Sequence, residues 1–359
     1  MKCLNNIDRL KISNETLRML LELYEFRGKD YYFEQVLKSN LSHMKRETIE
    51  KDTFYLVEMM NIEATNNRKK LIILKDSEPK NKNEQLISNI KATFSIISEK
   101  IDQFELNSNE ILSLAHKLYD GYEKVSYVSY TVETNDSLIK KKKVSKREEM
   151  EVLLNQYNRL IRAKKHEITQ LVTNFYIDFI HLAPFTTGNK YIGLLIICIL
   201  LLKEKFKMFH YVSFFSMLYE NLEEFYNKEA EASFNYEYGF SNTDSLNNLI
   251  ISMLLDGYRR IDNMAKNTSI DSLISKASSI ENTIFRLPQV FTKDDIRRLH
   301  PYASMSTIDR TLKKLRDEGR IRPNGVGRSA SWIRLEDVER FEILDDKKAS
   351  LFDNFLDND

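Results

Sequence analysis

From Tyr191 to Leu202 twelve residues run without a single charged or strongly polar side chain, YIGLLIICILLL, bracketed by Lys190 and Lys203. A helix of that length spans about 18 Å, well short of the roughly 30 Å of a bilayer core, so the run reads as a helix buried on all sides. Burying it takes other helices, and the punctuation of the chain supplies them. Glycine occurs 9 times and proline 5 times in 359 residues, far below ordinary usage. With the usual turn residues so scarce, long helices joined by few loops are expected.

Periodicity divides the chain. Residues 1–64 read as amphipathic helices, with Leu17, Leu20, Leu21 and Tyr24 at helical spacing. Thr65 to Gln85, rich in Lys, Asn and Asp, reads as an exposed excursion around the short apolar patch Leu71 to Leu74. Helices follow at Gln85–Ile101 and Ser108–Tyr119, with Ser108 as the expected N-cap. Between Val125 and Val144 the pattern turns to β, with Asn135-Asp136-Ser137 as the turn, which predicts a hairpin edged by Lys140 to Lys143. Helices resume at Lys146–Arg162, Glu167–Ile180, Val212–Asn227 and Asp244–Ala265. A polar seam at 266–279 reads as a linker, and residues 346–359 as an acidic tail.

The 54 basic and 53 acidic side chains nearly cancel, so any surface that attracts an acidic partner must be local. One such region lies at 291–335, where eleven Lys/Arg face five Asp/Glu. Thr292 and Asp295 stand at capping-box spacing, His300-Pro301 ends that helix, and Ser304 or Ser306 caps the next. Gly319 falls where a helix end needs positive φ, and Ile321 and Ser331-Trp332-Ile333 bracket a glycine-tipped turn. Residues 280–345 resemble the winged helix-turn-helix superfamily. The resemblance implies binding of duplex DNA, with Thr307, Arg310, Lys313 and Lys314 on the second helix and Arg328 on the wing. Dimerisation or protein docking is the other use of such a module.

Cys3 and Cys198 are the only cysteines, too few for a disulfide framework or a zinc site, and no metal ligand set is visible. The opening MKCLNNIDRLKIS lacks the apolar core of a signal peptide, so a cytoplasmic protein away from membranes is expected.

Just before the apolar helix stands Ala183-Pro184-Phe185-Thr186-Thr187-Gly188-Asn189-Lys190. Glycine lets backbone approach a ligand closely, and the helix N-terminus offers unpaired N–H groups and partial positive charge. By itself this reads either as an anion site built on Thr187, Gly188, Asn189 and Lys190, or as plain punctuation. The segment resembles the signature loop of Fic-domain proteins, H-P-F-x-[D/E]-G-N-[G/K]-R-x-x-R, which in active members transfers AMP from ATP to a protein hydroxyl. Pro184, Phe185, Gly188, Asn189 and Lys190 match it. Phe179 and Leu182 stand where the family has its preceding F-x-x-I, and Val212-Ser213 and Glu224-Phe225-Tyr226 are similar to its downstream segment. The 125–144 hairpin resembles the family's flap, where a protein partner would dock. Met59 to Ala64 is similar to the inhibitory helix, with Glu63 at its acidic position.

The resemblance implies a mainly α fold: an N-terminal helical region at 1–50, then a helical Fic-like core with a small β-hairpin flap at 51–265, followed by the winged helix. It also shows what is missing. Ala183 stands where the family's His is the general base, Thr187 where an acid holds Mg²⁺, and Tyr191 and Leu194 where two arginines clamp phosphate. His181, two residues before Ala183, reads as a structural histidine ending a helix. The expected function is therefore a non-enzymatic regulator, a pseudoenzyme coupling a nucleotide-type pocket or a protein partner to nucleic-acid binding. No cofactor is required, and ATP or another nucleotide stays open as a ligand. A residually active adenylyltransferase and a pure interaction scaffold remain alternatives, and homodimerisation is left open.

Overall fold

A computed structural model describes residues 1–133, 141–300, 303–325 and 331–335. It divides into two compact units, Met1–Asn263 and Met264–Asp359.

The first unit is helical. A 3₁₀ segment at Leu4–Arg9 precedes α1 (Asn14–Gly28), α2 (Asp30–Leu37), α3 (Leu41–Met59), α4 (Asn66–Lys75), α5 (Lys82–Lys100) and α6 (Ser108–Tyr119). Strands β1 (Ser129–Glu133) and β2 (Lys141–Ser145) pair antiparallel, Tyr130 opposite Val144. Then come α7 (Lys146–Ala163), α8 (Ile168–Leu182), α9 (Asn189–Lys203), α10 (Phe214–Glu220), α11 (Leu222–Ser233) and α12 (Asp244–Arg286), which runs on into the second unit.

The apolar run is α9, and every residue from Ile192 to Leu201 is buried. Each large aliphatic side chain there contributes roughly 1.5–3 kcal/mol of burial. Gly193 sits inside this helix because α8 crosses tightly against it: a Cβ would meet Tyr176, Phe179 and Ile180 at 3.1 Å. The start of the chain is fastened from the far side of α8. Buried Asp178 accepts the backbone N–H groups of Lys2, Cys3 and Leu4 at 2.7, 3.0 and 2.9 Å, and the Tyr236 hydroxyl at 2.8 Å.

Several expectations are corrected. Thr65–Gln85 is no excursion. Thr65 caps α4, accepting from the Arg68 N–H, and Ile72 and Ile73 bury its inner face. Asn107, not Ser108, caps α6, accepting from Asn109 and Glu110 N–H. The helix expected at Val212–Asn227 is two, broken at Asn221. On α1 only Leu20 of the four expected apolar residues is buried, together with Thr16 and Leu23; Leu17, Leu21 and Tyr24 face outward. The seam at 266–279, read as a linker, lies within the helical span of α12.

In the second unit the end of α12 is followed by β3 (Val290–Phe291), α13 (Lys293–Leu299), α14 (Met305–Asp317), β4 (Ile321–Asn324) and β5 (Ser331–Arg334). The strands form an antiparallel sheet in the order β3-β5-β4. Ile280 and Ile284 of α12 close one core with Phe291, Ile296, Ile308, Leu312, Leu315 and Ile321. Thr292 and Asp295 form the expected capping box, Ser304 caps α14, and Gly319 has φ +69°. β3 was not expected: two residues are too short to carry a pattern.

Candidate functional site

The loop between α8 and α9 is closed upon itself. α8 ends when Ala183 turns left-handed (φ 42°, ψ 65°), donating its N–H to Phe179 O at 2.9 Å. An L-residue held there costs about 1–2 kcal/mol, so the turn has to be secured by its surroundings. The Lys146 ammonium secures it, donating to Leu182 O at 2.6 Å and Ala183 O at 3.4 Å. Residues 126–128, leading into the hairpin, lie antiparallel to the loop: Val128 N–H donates to Pro184 O and Thr186 N–H to Ser126 O, both at 2.9 Å. Phe185 is buried against Tyr127, ring centroids 4.9 Å apart. The hairpin base and the loop are thus one hydrogen-bonded assembly.

The four residues expected to hold an anion each have an intramolecular partner. Asn189 clasps the loop, its Oδ1 accepting Phe185 N–H at 2.9 Å and its Nδ2 donating to Phe185 O at 2.7 Å. The Thr187 hydroxyl lies 3.1 Å from a carboxylate oxygen of Glu123. The Lys190 ammonium rests 3.9 Å from the centre of the Tyr226 ring. Gly188 has φ +74°, and a Cβ there would lie 2.5 Å from the buried Tyr119 ring. What stays available is main chain: the first N–H groups of α9, the earliest helical bond being Ile192 N–H to Gly188 O.

At the positions where the resemblance places arginines, Leu194 is wholly buried, while the Tyr191 hydroxyl donates to Met59 O at 2.9 Å. Tyr191 thereby ties the first turn of α9 to the C-terminal end of α3. Glu63 is not on a helix: α3 ends at Met59, Asn61 turns left-handed, and Glu63 projects into solvent with its carbonyl accepting from Asn83. His181 stacks flat on Tyr236 at 3.7 Å, and burial lowers its pKa. Tyr119, Glu123 and Lys146 are participants that the sequence did not reveal, since each arrives from a distant element; Tyr226 lies in the segment similar to the family's downstream one, but its place over Lys190 was not expected.

A further titratable group is buried in the first unit. Asp52 of α3 accepts the Ser213 hydroxyl at 2.6 Å and the Phe215 N–H at 2.9 Å. Burial pushes its carboxyl up to about 7, against the pull of those two donors.

In the second unit, Arg310 and Lys313 are exposed on the outer face of α14 beside Ser306. Lys314, one turn on from Arg310, is held in pairs with Glu281 at 3.3 Å and Glu318 at 3.7 Å. The Thr307 hydroxyl is shared with the capping Ser304 at 2.8 Å. Arg328, expected on a wing, lies outside the described residues, as do the expected hairpin turn at 135–137, Lys140 and the acidic tail. No helix among the described residues is long and apolar enough to cross a membrane.

No family model and no curated protein matches the sequence. Solved structures do. A Fic family protein from Desulfovibrio desulfuricans G20 superposes with a TM-score of 0.59 at 14% identity, covering 92% of this chain and 99% of its own. A Fic domain containing signaling protein from Bacteroides thetaiotaomicron VPI-5482 gives 0.53 at 15% identity over 68% of this chain and 97% of its own. A fragment of C. elegans Fic-1 gives 0.52 at 13% identity over 72% and 73% respectively. At such identities the likeness speaks for the backbone and not for the chemistry: this mainly helical chain with its small antiparallel sheets has the Fic fold.

Proposed function

We propose that the chain is a non-enzymatic regulator: a Fic-fold unit without transfer chemistry, coupled to a winged-helix unit that binds duplex DNA. The observation that carries this reading is the self-contained loop. Transfer of AMP needs a base for the attacking hydroxyl, a metal at the phosphates and cations on the developing charge. Here the base position is a methyl group, the metal position a threonine whose hydroxyl meets Glu123, and the clamp positions a leucine in the core and a tyrosine bound to Met59 O. Lys146, the cation nearest Ala183, spends its protons on two carbonyls and has no lone pair to offer as a replacement base.

The loop instead serves as a brace. It joins the hairpin base, α8 and α9 through main-chain bonds and reaches the end of α3 through the Tyr191 hydroxyl, so a protein partner docked on the hairpin would act on all of them. The DNA half of the reading rests on Arg310 and Lys313, exposed on α14 and outside any ion pair among the described residues. Helix, turn, helix and antiparallel sheet give the layout in which a second helix enters the major groove. A mobility shift of the full chain with generic duplex DNA at low salt tests it. A shift that weakens when Arg310 and Lys313 are both replaced by alanine supports the reading. A folded chain that shifts nothing removes the nucleic-acid half.

A further inference from the structure

Four residues of α1, at spacings of four, three and four, line a stripe open to solvent: Leu17, Leu21, Tyr24, whose hydroxyl reaches Glu167 at 2.9 Å, and Gly28. The three side chains are 49%, 66% and 39% exposed. The opposite face, Thr16, Leu20 and Leu23, is the one that packs into the unit. Apolar residues repeating at this alternation of four and three are the seam of a two-helix contact.

Gly28 supplies a second observation. It lies in the last turn of α1, it is not among the residues with positive φ, and a Cβ built on it meets nothing within 4 Å. Glycine in a helix is less stable than alanine, and nothing within the chain asks for it. A surface that must admit another backbone at close range does.

The charges beside the stripe identify the occupant. Arg18 and Glu25 are seven residues apart and so lie on the same flank of the seam. In an antiparallel pair of identical helices, like flanks face each other. A register with Leu21 opposite Tyr24 of a second copy sets Leu17 against the second copy's Gly28. It also brings Arg18 of each copy to within reach of Glu25 of the other, once on either side of the twofold axis. Opposite charges placed symmetrically on one flank make the helix complementary to itself. The present partner of Glu25 is Lys29, 3.2 Å away in an exposed pair that re-forms at little cost.

We infer that α1 is an isologous homodimer interface, two copies packing antiparallel through Leu17, Leu21, Tyr24 and Gly28, with register set by Arg18 and Glu25. Nothing in it depends on the signature loop or on DNA binding. Joining two chains also gives two copies of the second unit, the arrangement a two-half-site duplex requires.

The test is sedimentation equilibrium of the full chain at about physiological salt, with circular dichroism as a check on folding. The wild-type chain is expected to associate as a dimer at tens of micromolar. Leu21→Glu is expected to be monomeric. Arg18→Glu and Glu25→Arg each place like charges across the axis and weaken association by roughly tenfold or more. The combined Arg18→Glu/Glu25→Arg chain exchanges the signs and is expected to dimerise again. A monomeric wild-type chain, a dimer indifferent to Leu21→Glu, or a combined variant as weak as the single ones would each overturn the proposal.

Discussion

Replacing Gly188 with alanine strikes the loop at its tightest point. Two costs are separable. An L-residue at φ +74° is worth about 1–2 kcal/mol of strain. The methyl also falls 2.5 Å from the Tyr119 ring. That ring is 4% exposed and has no open space to swing into, so overpacking adds about 1–3 kcal/mol. The expected loss is therefore about 2–5 kcal/mol. Tyr119→Leu removes the ring without touching the backbone angle. In that background Gly188→Ala should cost only the strain, leaving a coupling of about 1–3 kcal/mol in a double-mutant cycle. Urea unfolding reads it, because the two units report separately: Trp332, the only tryptophan, lies in the second, while far-ultraviolet dichroism is dominated by the first. A loss below about 1 kcal/mol, or a cycle that closes additively, would refute the reasoning.

The buried Asp52 carboxyl is held at about 7, against 3.8 for the free group. Its raised pKa means that the folded chain binds the proton more tightly, so this stability is complete below about pH 4 and lost as pH rises through 7. About three units amount to roughly 4 kcal/mol, and Asp30, raised to about 6 by burial, acts in the same direction. Asp52→Asn keeps an oxygen for the Ser213 hydroxyl and the Phe215 N–H, and is expected to flatten urea midpoints between pH 4 and 7; an unchanged slope would refute the assignment. Exposed Arg310 and Lys313 together should account for about 1.8 of the slope of log K against log salt, at about 0.9 per phosphate contact. Lys314→Ala, removing a cation already held by Glu281, should change that slope much less, and an equal effect would contradict the assignment.

Local chemistry made much of the fold readable. The apolar run could only be a buried helix, and Thr292 with Asp295 announced a helix start because both capping partners lie within one turn. The Gly188-Asn189 turn was placed correctly ahead of α9, but the partners of its side chains were not foreseeable. Tyr119 and Glu123 precede Gly188 by more than sixty residues, and no spacing rule spans such a loop closure. α4 was missed because its apolar residues, Leu71 to Leu74, are contiguous and show no helical spacing, while Ile72 and Ile73, together with the Thr65 cap, set it against the core. α1 misled in the other direction. Periodicity located apolar residues at Leu17, Leu20, Leu21 and Tyr24, yet of these only Leu20 packs inward, beside Thr16 and Leu23. Amphipathicity says that a face is apolar, not what covers it.

The central claim is that the loop braces the fold and transfers nothing. Full-length chain incubated with Mg²⁺, ATP labelled on its α-phosphate and a mixed protein extract tests it directly. The account predicts no label above that of chain boiled beforehand, since loss of the base alone removes about 10²–10⁴-fold in rate. Labelled protein that depends on the unboiled chain, and disappears with Asn189→Ala while that variant keeps its dichroism, would contradict it.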